Sequence, residues 1–126
     1  YEITSEFSQI IFEDNIETIL MKKVTATFKD SNNKKLYVNS DNAIFYSNSY
    51  NTFFKGNIII TYGINNITSN KLDFNITENN ILIYDNVVYT GKDKEIKTDN
   101  IKIDIITKNI KIFMNEAINN VIITSF

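Results

Sequence analysis

Three carboxylates lie close together in the segment FEDNIE, at Glu13, Asp14 and Glu17. Carboxylate oxygens are the ligands that calcium prefers, but calcium loops supply more oxygens at a denser spacing. A solvated turn therefore explains these residues better than a metal site. The same interpretation applies to Asp93 and Glu95.

The residue types that carry most nucleophilic catalysis are missing. The sequence has no cysteine and no histidine, which removes the commonest general base, thiolate metal ligands and disulfides. A serine–lysine pair or two facing carboxylates would remain as catalytic groups, but no such pair recurs along the chain. We predict that the protein is not an enzyme and uses no cofactor.

All 13 basic residues are lysines, and the net charge at pH 7 is -2. Without arginine the protein lacks the planar forks that bind phosphates in nucleic-acid readers, so the composition does not indicate a nucleic-acid-binding protein. Lys22-Lys23 and Lys34-Lys35 are candidates for contacting isolated phosphate groups, although lysines in hairpins usually serve solubility.

A short phrase recurs at a fixed spacing. The copies VNSDNAIF, ITSNKLDF and IKTDNIKI begin at Val38, Ile67 and Ile96, so successive copies are 29 residues apart. In the second half of the repeat, asparagine recurs with the same spacing, at Asn57, Asn86 and Asn115. A fixed period of this length indicates a repeated structural unit.

Each copy has the alternation of a β-strand. Apolar residues occupy every second position, which is typical of a strand with one apolar face. β-branched and aromatic residues dominate, and no long segment has a helical period. The alternation changes parity in each copy, which predicts a bulge or corner there. These changes fall at Asp41-Asn42, Asn70-Lys71 and Asp99-Asn100.

The spacing of turn signals predicts antiparallel hairpins, roughly two strands per copy. Asparagine tolerates a left-handed backbone and marks the expected turns. These lie at Asn32-Asn33, Asn48-Ser49, Asn65-Asn66, Asn79-Asn80 and Asn119-Asn120, and the segment 29–35 is a longer hairpin tip. We expect residues 1–126 to form one all-β domain, an elongated antiparallel sheet folded into a two-layer jelly roll. The alternative is a parallel β-solenoid, whose tight corners favour glycine, and glycine occurs only 3 times.

The phrase I-x-[ST]-[DN], followed by an apolar alternation, a turn and FFKGNIIITY at 53–62, resembles the periplasmic lipopolysaccharide-export proteins of the LptC and OstA type. Those families repeat a Gly-Asn/Asp-Val step after the second strand. Gly56-Asn57-Ile58 is similar to it, whereas Asp85-Asn86-Val87 and Met114-Asn115-Glu116 match only in part. The segment 79–114 is most similar to the C-terminal half of LptC.

Resemblance to the LptC family implies a β-jellyroll in the periplasm of a Gram-negative cell. Such a protein receives lipopolysaccharide from an inner-membrane ABC transporter with LptF/LptG-like jellyrolls. It passes the lipid to an LptA-like bridge protein and joins its partners by edge-strand pairing. The family also implies an N-terminal helix in the inner membrane, which would precede Tyr1. LptC and LptA differ mainly in that anchor, so the choice between them stays open.

A lipid conduit needs an apolar lining, because burying an acyl chain contributes about 0.8 kcal/mol per methylene. The apolar face of the strands would supply that lining. The alternative is that the same residues fill a dry core in a structural or adhesive surface module that binds no lipid. The predicted lipid-binding residues are Val38, Ala43, Phe45, Phe54, Ile58, Ile67, Leu72, Phe74, Ile83, Val87, Ile96, Ile101, Ile103 and Ile112.

The two ends of the chain are candidates for pairing with partner strands. The last segment, NVIITSF, has no proline or lysine to protect an exposed edge, and such an edge accepts a further strand. The same edges would allow a homodimer. The predicted partner-edge residues are Tyr1, Ile3, Phe7, Ile118, Val121, Ile122 and Ile123.

Overall fold

A computed structural model describes residues 1–29, 32–107, 109–114 and 120–123 of the chain. Within these ranges, nine strands form one antiparallel sheet whose spatial order follows the chain order. The strands are β1 (Glu2–Glu13), β2 (Ile16–Lys29), β3 (Lys35–Tyr46), β4 (Thr52–Tyr62), β5 (Asn65–Asn75), β6 (Asn80–Gly91), β7 (Lys94–Asp104), β8 (Ile110–Phe113) and β9 (Asn120–Ile123). The all-β prediction is confirmed. The solenoid alternative is wrong because neighbouring strands run antiparallel.

Each 29-residue copy contributes two strands. Val38, Ile67 and Ile96 lie in β3, β5 and β7, and each of these strands is followed by its hairpin partner. Asn33 and Asn79 have the positive φ angles expected of asparagine turns, 63° and 53°.

One turn prediction is wrong, and another lies partly outside the described residues. Asn65-Asn66 begin β5, because the chain turns earlier, at Gly63 (φ 58°) and Ile64. Asn120 belongs to β9, and Asn119 lies outside the described residues.

The sheet bends at the predicted positions, where the alternation of β3, β5 and β7 changes parity. The additional residue of each bulge, however, belongs to the neighbouring strand, β4 or β6. In β4 the register shifts between Lys55 and Ile58, across Gly56 and Asn57, whose φ angles are 90° and 45°. A bulge of this kind adds a residue to one strand and bends the pair.

The same arrangement recurs one copy later. In β6 the register shifts between Tyr84 and Val87, where Asp85 and Asn86 have φ angles of 66° and 63°. The repeated asparagines thus mark the bulged strands of two copies. The third, Asn115, lies outside the described residues.

The hydroxyl of the I-x-[ST]-[DN] phrase points into the core at each corner. Ser40 Oγ donates a hydrogen bond to the carbonyl of Asn42 (2.7 Å), and Ser69 Oγ donates to that of Lys71 (3.2 Å). In the third copy Thr98 Oγ1 donates to the carbonyl of a β8 residue at 3.1 Å. Buried hydroxyls need such partners. The motif therefore has a structural explanation.

The corners fold the sheet into two facing layers. The first layer contains the strand segments around Val38 and Ile67, and the second contains those around Phe54 and Leu72. Phe28 in β2 and Phe74 in β5 belong to strands that are not neighbours, yet their ring centroids are 4.8 Å apart.

Tyr1 completes this contact between the layers. Its ring stacks on Phe28 at 5.3 Å and meets the edge of Phe74 at 5.0 Å. We call Tyr1, Phe28 and Phe74 the aromatic clasp. None of the described segments is a helix long and apolar enough to cross a membrane.

Candidate functional site

The predicted lining residues lie on the inner face of the folded sheet. Since side chains of paired residues point to the same side of a sheet, the strand register assigns them to rows. One row of the second layer crosses six strands through Ala43, Phe54, Leu72, Ile83, Ile101 and Ile112. A second row crosses the same strands through Phe45, Thr52, Phe74, Ile81, Ile103 and Ile110.

The first layer supplies the facing side chains. A row there contains Val38, Ile60, Ile67, Tyr89 and Ile96, and the buried Ile58 and Val87 lie next to the corners. The structure therefore brings the whole predicted set together between the two layers.

Most of this lining is excluded from water. Phe54, Leu72 and Ile83 have 0% exposure, and of the predicted set only Phe45 and Ile96 are partly buried rather than buried. An acyl chain would therefore reach the middle of the core only if the two layers moved apart.

The inner face is uncovered at one margin of the second layer. Ile10 pairs with Ile19, which pairs with Phe45, so that all three continue a core row. Nevertheless Ile10 is 64% exposed, and Phe12, two residues further along β1, is 66% exposed. The ring of Tyr50 lies 6.0 Å from that of Phe45. We call Ile10, Phe12, Ile19, Phe45 and Tyr50 the open margin.

Sequence reasoning missed all of the open margin except Phe45. The available signal was the alternation of Ser8, Ile10 and Phe12 in SQIIFE, but Ile11 interrupts it. Contiguous exposed apolar patches of this kind commonly mark binding surfaces. The margin is thus an exposed part of the inner face, accessible from solvent without separation of the layers.

Thr52 places an unpaired hydroxyl beside the open margin. Its side chain is 2% exposed, lies between Phe45 and Phe74 in the inner row, and its Oγ1 has no hydrogen-bond partner within the described part of the chain. A buried unsatisfied hydroxyl costs about 1–3 kcal/mol. A ligand carbonyl or hydroxyl entering from the margin would satisfy it.

The predicted partner-edge residues have different environments. β1 is one edge of the sheet and β9 the other. Phe7 is 61% exposed, Ile3 packs partly buried against the core, and Tyr1 belongs to the aromatic clasp. The remaining residues are Val121, Ile122 and Ile123, which lie in β9 and pair with β8, and Ile118, which lies outside the described residues.

The acidic segment forms an exposed turn between β1 and β2, where Asp14 and Asn15 have φ angles of 51° and 62°. Among the described residues there is no cluster of three or more histidine, cysteine or carboxylate side chains that could hold a metal ion. Lys23 pairs with Glu6 at 3.3 Å on the surface.

No protein-family model matches the sequence, and no curated protein matches it. The fold does match a solved structure, that of LptH from Pseudomonas aeruginosa, the LptA-homologous periplasmic component of the conserved lipopolysaccharide transport device. The TM-score is 0.68, with 97% of this chain and 92% of that chain covered and 7% sequence identity. At this identity the match establishes the jellyroll fold.

Proposed function

We propose that the protein is a non-catalytic carrier of lipopolysaccharide and a bridge component that transfers it across the periplasm. The open margin carries this proposal, because it exposes apolar side chains in register with the buried rows of the core. The shared fold with a periplasmic component of a lipopolysaccharide transport device supports it.

In this proposal the chain occupies the LptC position at the inner membrane. An ABC transporter with LptF/LptG-like jellyrolls delivers the lipid, and an LptA-like protein receives it. The edges of β1 and β9 that no other described strand pairs with are the surfaces for strand pairing with these partners or with a second copy. The upstream coding sequence distinguishes the alternatives: an apolar helix favours LptC, and a cleavable signal favours LptA.

Acyl chains would enter along Ile10 and Phe12 and move inward past Thr52, whose hydroxyl can pair with a carbonyl or hydroxyl of the lipid. Opening of the aromatic clasp would let the two layers separate around the chains. Because the lining offers few polar groups, the lipid is held mainly by apolar burial and can be released to the next carrier.

Site-specific photo-crosslinking tests the proposal. A photoreactive residue at Phe74, Ile103 or Ile10 should label lipopolysaccharide, because these side chains lie on the inner face. The matched controls Asp73 and Lys102 point outward from the same strands and should label weakly. Equal labelling from inner and outer positions would contradict the proposal.

A structural or adhesive module without a lipid ligand is the second candidate, and the fully buried centre of the core favours it. Under that alternative the purified protein binds neither lipopolysaccharide nor a hydrophobic dye. Absence of labelling at all three inner positions, in a protein that melts cooperatively, would favour the module over the carrier.

A further inference from the structure

The outer face of the second layer carries an apolar row where a polar surface is expected. Antiparallel sheets with one buried face usually present polar residues on the other. Here the register aligns Leu20, Ile44, Phe53, Asp73 and Leu82 across five strands, and all five are half-buried on the outside of the sheet. This surface is separated from the lipid path proposed above by the sheet itself.

A row of lysines runs beside it. Lys22 pairs with Asn42, Asn42 with Lys55, and Lys55 lies directly opposite Lys71. Like charges opposite each other on neighbouring strands are unfavourable. Within the described part of the chain none of these three ammonium groups is in an ion pair; the pair that is present joins Lys23 to Glu6. The row is therefore a positive strip, with the carboxylate of Asp73 near Lys71 at its β5 end.

A cleft of about 530 Å³ lies between the two rows near the β1 edge. This volume is within the range of about 300–1,000 Å³ typical of small-molecule sites. One wall is formed by Phe7, Lys22 and Asn42, the other by Gln9, Leu20 and Ile44, and the floor by Ser8, Met21 and Ala43.

The cleft opens on the outer face. Met21 and Ala43 are buried in the core, so their side chains point away from it. The inner-row neighbours Ile19 and Phe45 do not line it, whereas the outward-facing Leu20 and Ile44 do. Its walls therefore combine exposed Phe7, two aliphatic side chains, one lysine and the amides of Gln9 and Asn42.

We propose that this outer cleft binds a single-chain amphiphile with an anionic head group, a phosphate monoester or a carboxylate. The chain lies between Leu20, Ile44 and Phe7, and the head group contacts Lys22 with Lys55 nearby along the row. The carboxylate of Asp73 lies between Phe53 and Leu82 in the apolar row, three strands away from Lys22, which directs an anion to the β2 side. This site is independent of the proposed carrier function.

Calorimetric titration with dodecyl phosphate below its micelle concentration tests the proposal. The variants are Ile44→Glu, which places a carboxylate in the wall, and Lys22→Glu, which reverses the charge of the head-group contact. The matched controls are Ile59→Glu and Lys97→Glu, because both residues are exposed on the outer face of the first layer.

Lys22→Glu should weaken binding at least about ten-fold, since hydrogen bonds to charged groups contribute that much. Ile44→Glu should abolish it, and both controls should bind like the wild type. Shortening the chain should weaken binding by about four-fold per methylene. Inorganic phosphate alone and dodecyl maltoside should bind much more weakly than dodecyl phosphate.

The inference would be overturned by equal binding of dodecyl maltoside, by full affinity in both Ile44→Glu and Lys22→Glu, or by equal loss in the two controls. Binding to phosphatidylglycerol vesicles without binding of the monomeric amphiphile would also overturn it and assign the face to a membrane surface. If circular dichroism shows that Ile44→Glu is unfolded, the affinity of Lys22→Glu for dodecyl phosphate serves as the test. The lipopolysaccharide photo-crosslinking uses inner positions, so failure of either proposal leaves the other intact.

Discussion

Thr52 and Asp73 hold polar groups in places that disfavour them, on opposite faces of the same layer. Thr52 points into the core without a hydrogen-bond partner among the described residues, and Asp73 lies outside between Phe53 and Leu82. Residues of this kind are expected at functional surfaces, where stability is given up for binding. Each of them leads to a stability prediction.

Thr52→Val should stabilise the ligand-free protein. Valine has nearly the same shape and removes the unpaired hydroxyl, so the free energy of unfolding should rise by about 1 kcal/mol. Urea unfolding measures this change, and Thr90→Val, at an exposed outer position of β6, is the control. A loss of stability in Thr52→Val would mean that the hydroxyl has a partner.

Asp73→Asn should remove a loss of stability that the wild type undergoes as pH rises from the acid range. Burial raises the pKa of Asp73, although the hydrogen bond from the Tyr84 hydroxyl (3.3 Å) and the charge of Lys71 oppose this. The folded state therefore holds the proton to higher pH than the unfolded state does, and ionisation costs stability as pH rises through that window. The stability of the variant relative to the wild type should increase from about pH 3 to pH 7 in urea unfolding. A pH-independent difference would contradict the assignment.

The corner is the element on which the two-layer fold depends, and Gly56 is its tightest point. Its φ is +90°, and an added Cβ would lie 3.2 Å from both Cβ and Oδ2 of Asp41. Asn57 Nδ2 donates to the same carboxylate at 2.7 Å, so Asp41 cannot easily move away. Both backbone conformation and space therefore require glycine at this position.

Gly56→Ala should lower the free energy of unfolding by about 1–3 kcal/mol. Gly63→Ala is a matched control, because Gly63 also has a positive φ (58°) but has nothing within 4 Å of an added Cβ. The control should lose less stability, and the difference between the two variants measures the contact with Asp41. Equal losses in thermal or urea unfolding would show that this contact is unimportant.

The positions of the corners were predictable from sequence, but the bulged strands were not. A change of parity at Asp41-Asn42 is visible within one strand, whereas the extra residue at Gly56-Asn57 is defined only by pairing with its neighbours. The turn before β5 was misplaced because asparagine is so abundant that Asn65-Asn66 carries little information beside Gly63.

On the scale of the whole molecule, the sequence predicts which residues lie on the inner face. It does not predict which of them are exposed to solvent. The period-two alternation of the sequence assigns Phe54, Leu72 and Ile101 to one face of the sheet. It does so without any information about the layer that packs against that face. Whether a position on that face is buried, like Phe54, or exposed, like Ile10, depends on how far one layer extends over the other. That overlap is set by long-range packing and leaves no local pattern in the sequence.

The carrier proposal requires the layers to separate, and a reversible crosslink across the aromatic clasp tests this. The chain has no cysteine, so Phe28→Cys combined with Phe74→Cys introduces two thiols at defined positions. The two backbones lie too far apart for a direct disulfide, but a bifunctional methanethiosulfonate reagent can join the thiols reversibly. Crosslinking should prevent lipopolysaccharide loading, and reduction should restore it, as measured by binding to the purified protein. Either single-cysteine variant treated with the same reagent is the control. Unchanged loading in the crosslinked double variant would mean that the lipid does not need this route.

The strict 29-residue register has an evolutionary consequence. In the described structure each strand hydrogen-bonds only with its sequence neighbours, and arrays of repeated units of this kind can gain or lose a unit. A tandem duplication of β5 and β6 would place every new bend in line with the old ones and make the molecule longer by one hairpin. The length of this protein can thus change in evolution by whole hairpins, one for each repeat gained or lost.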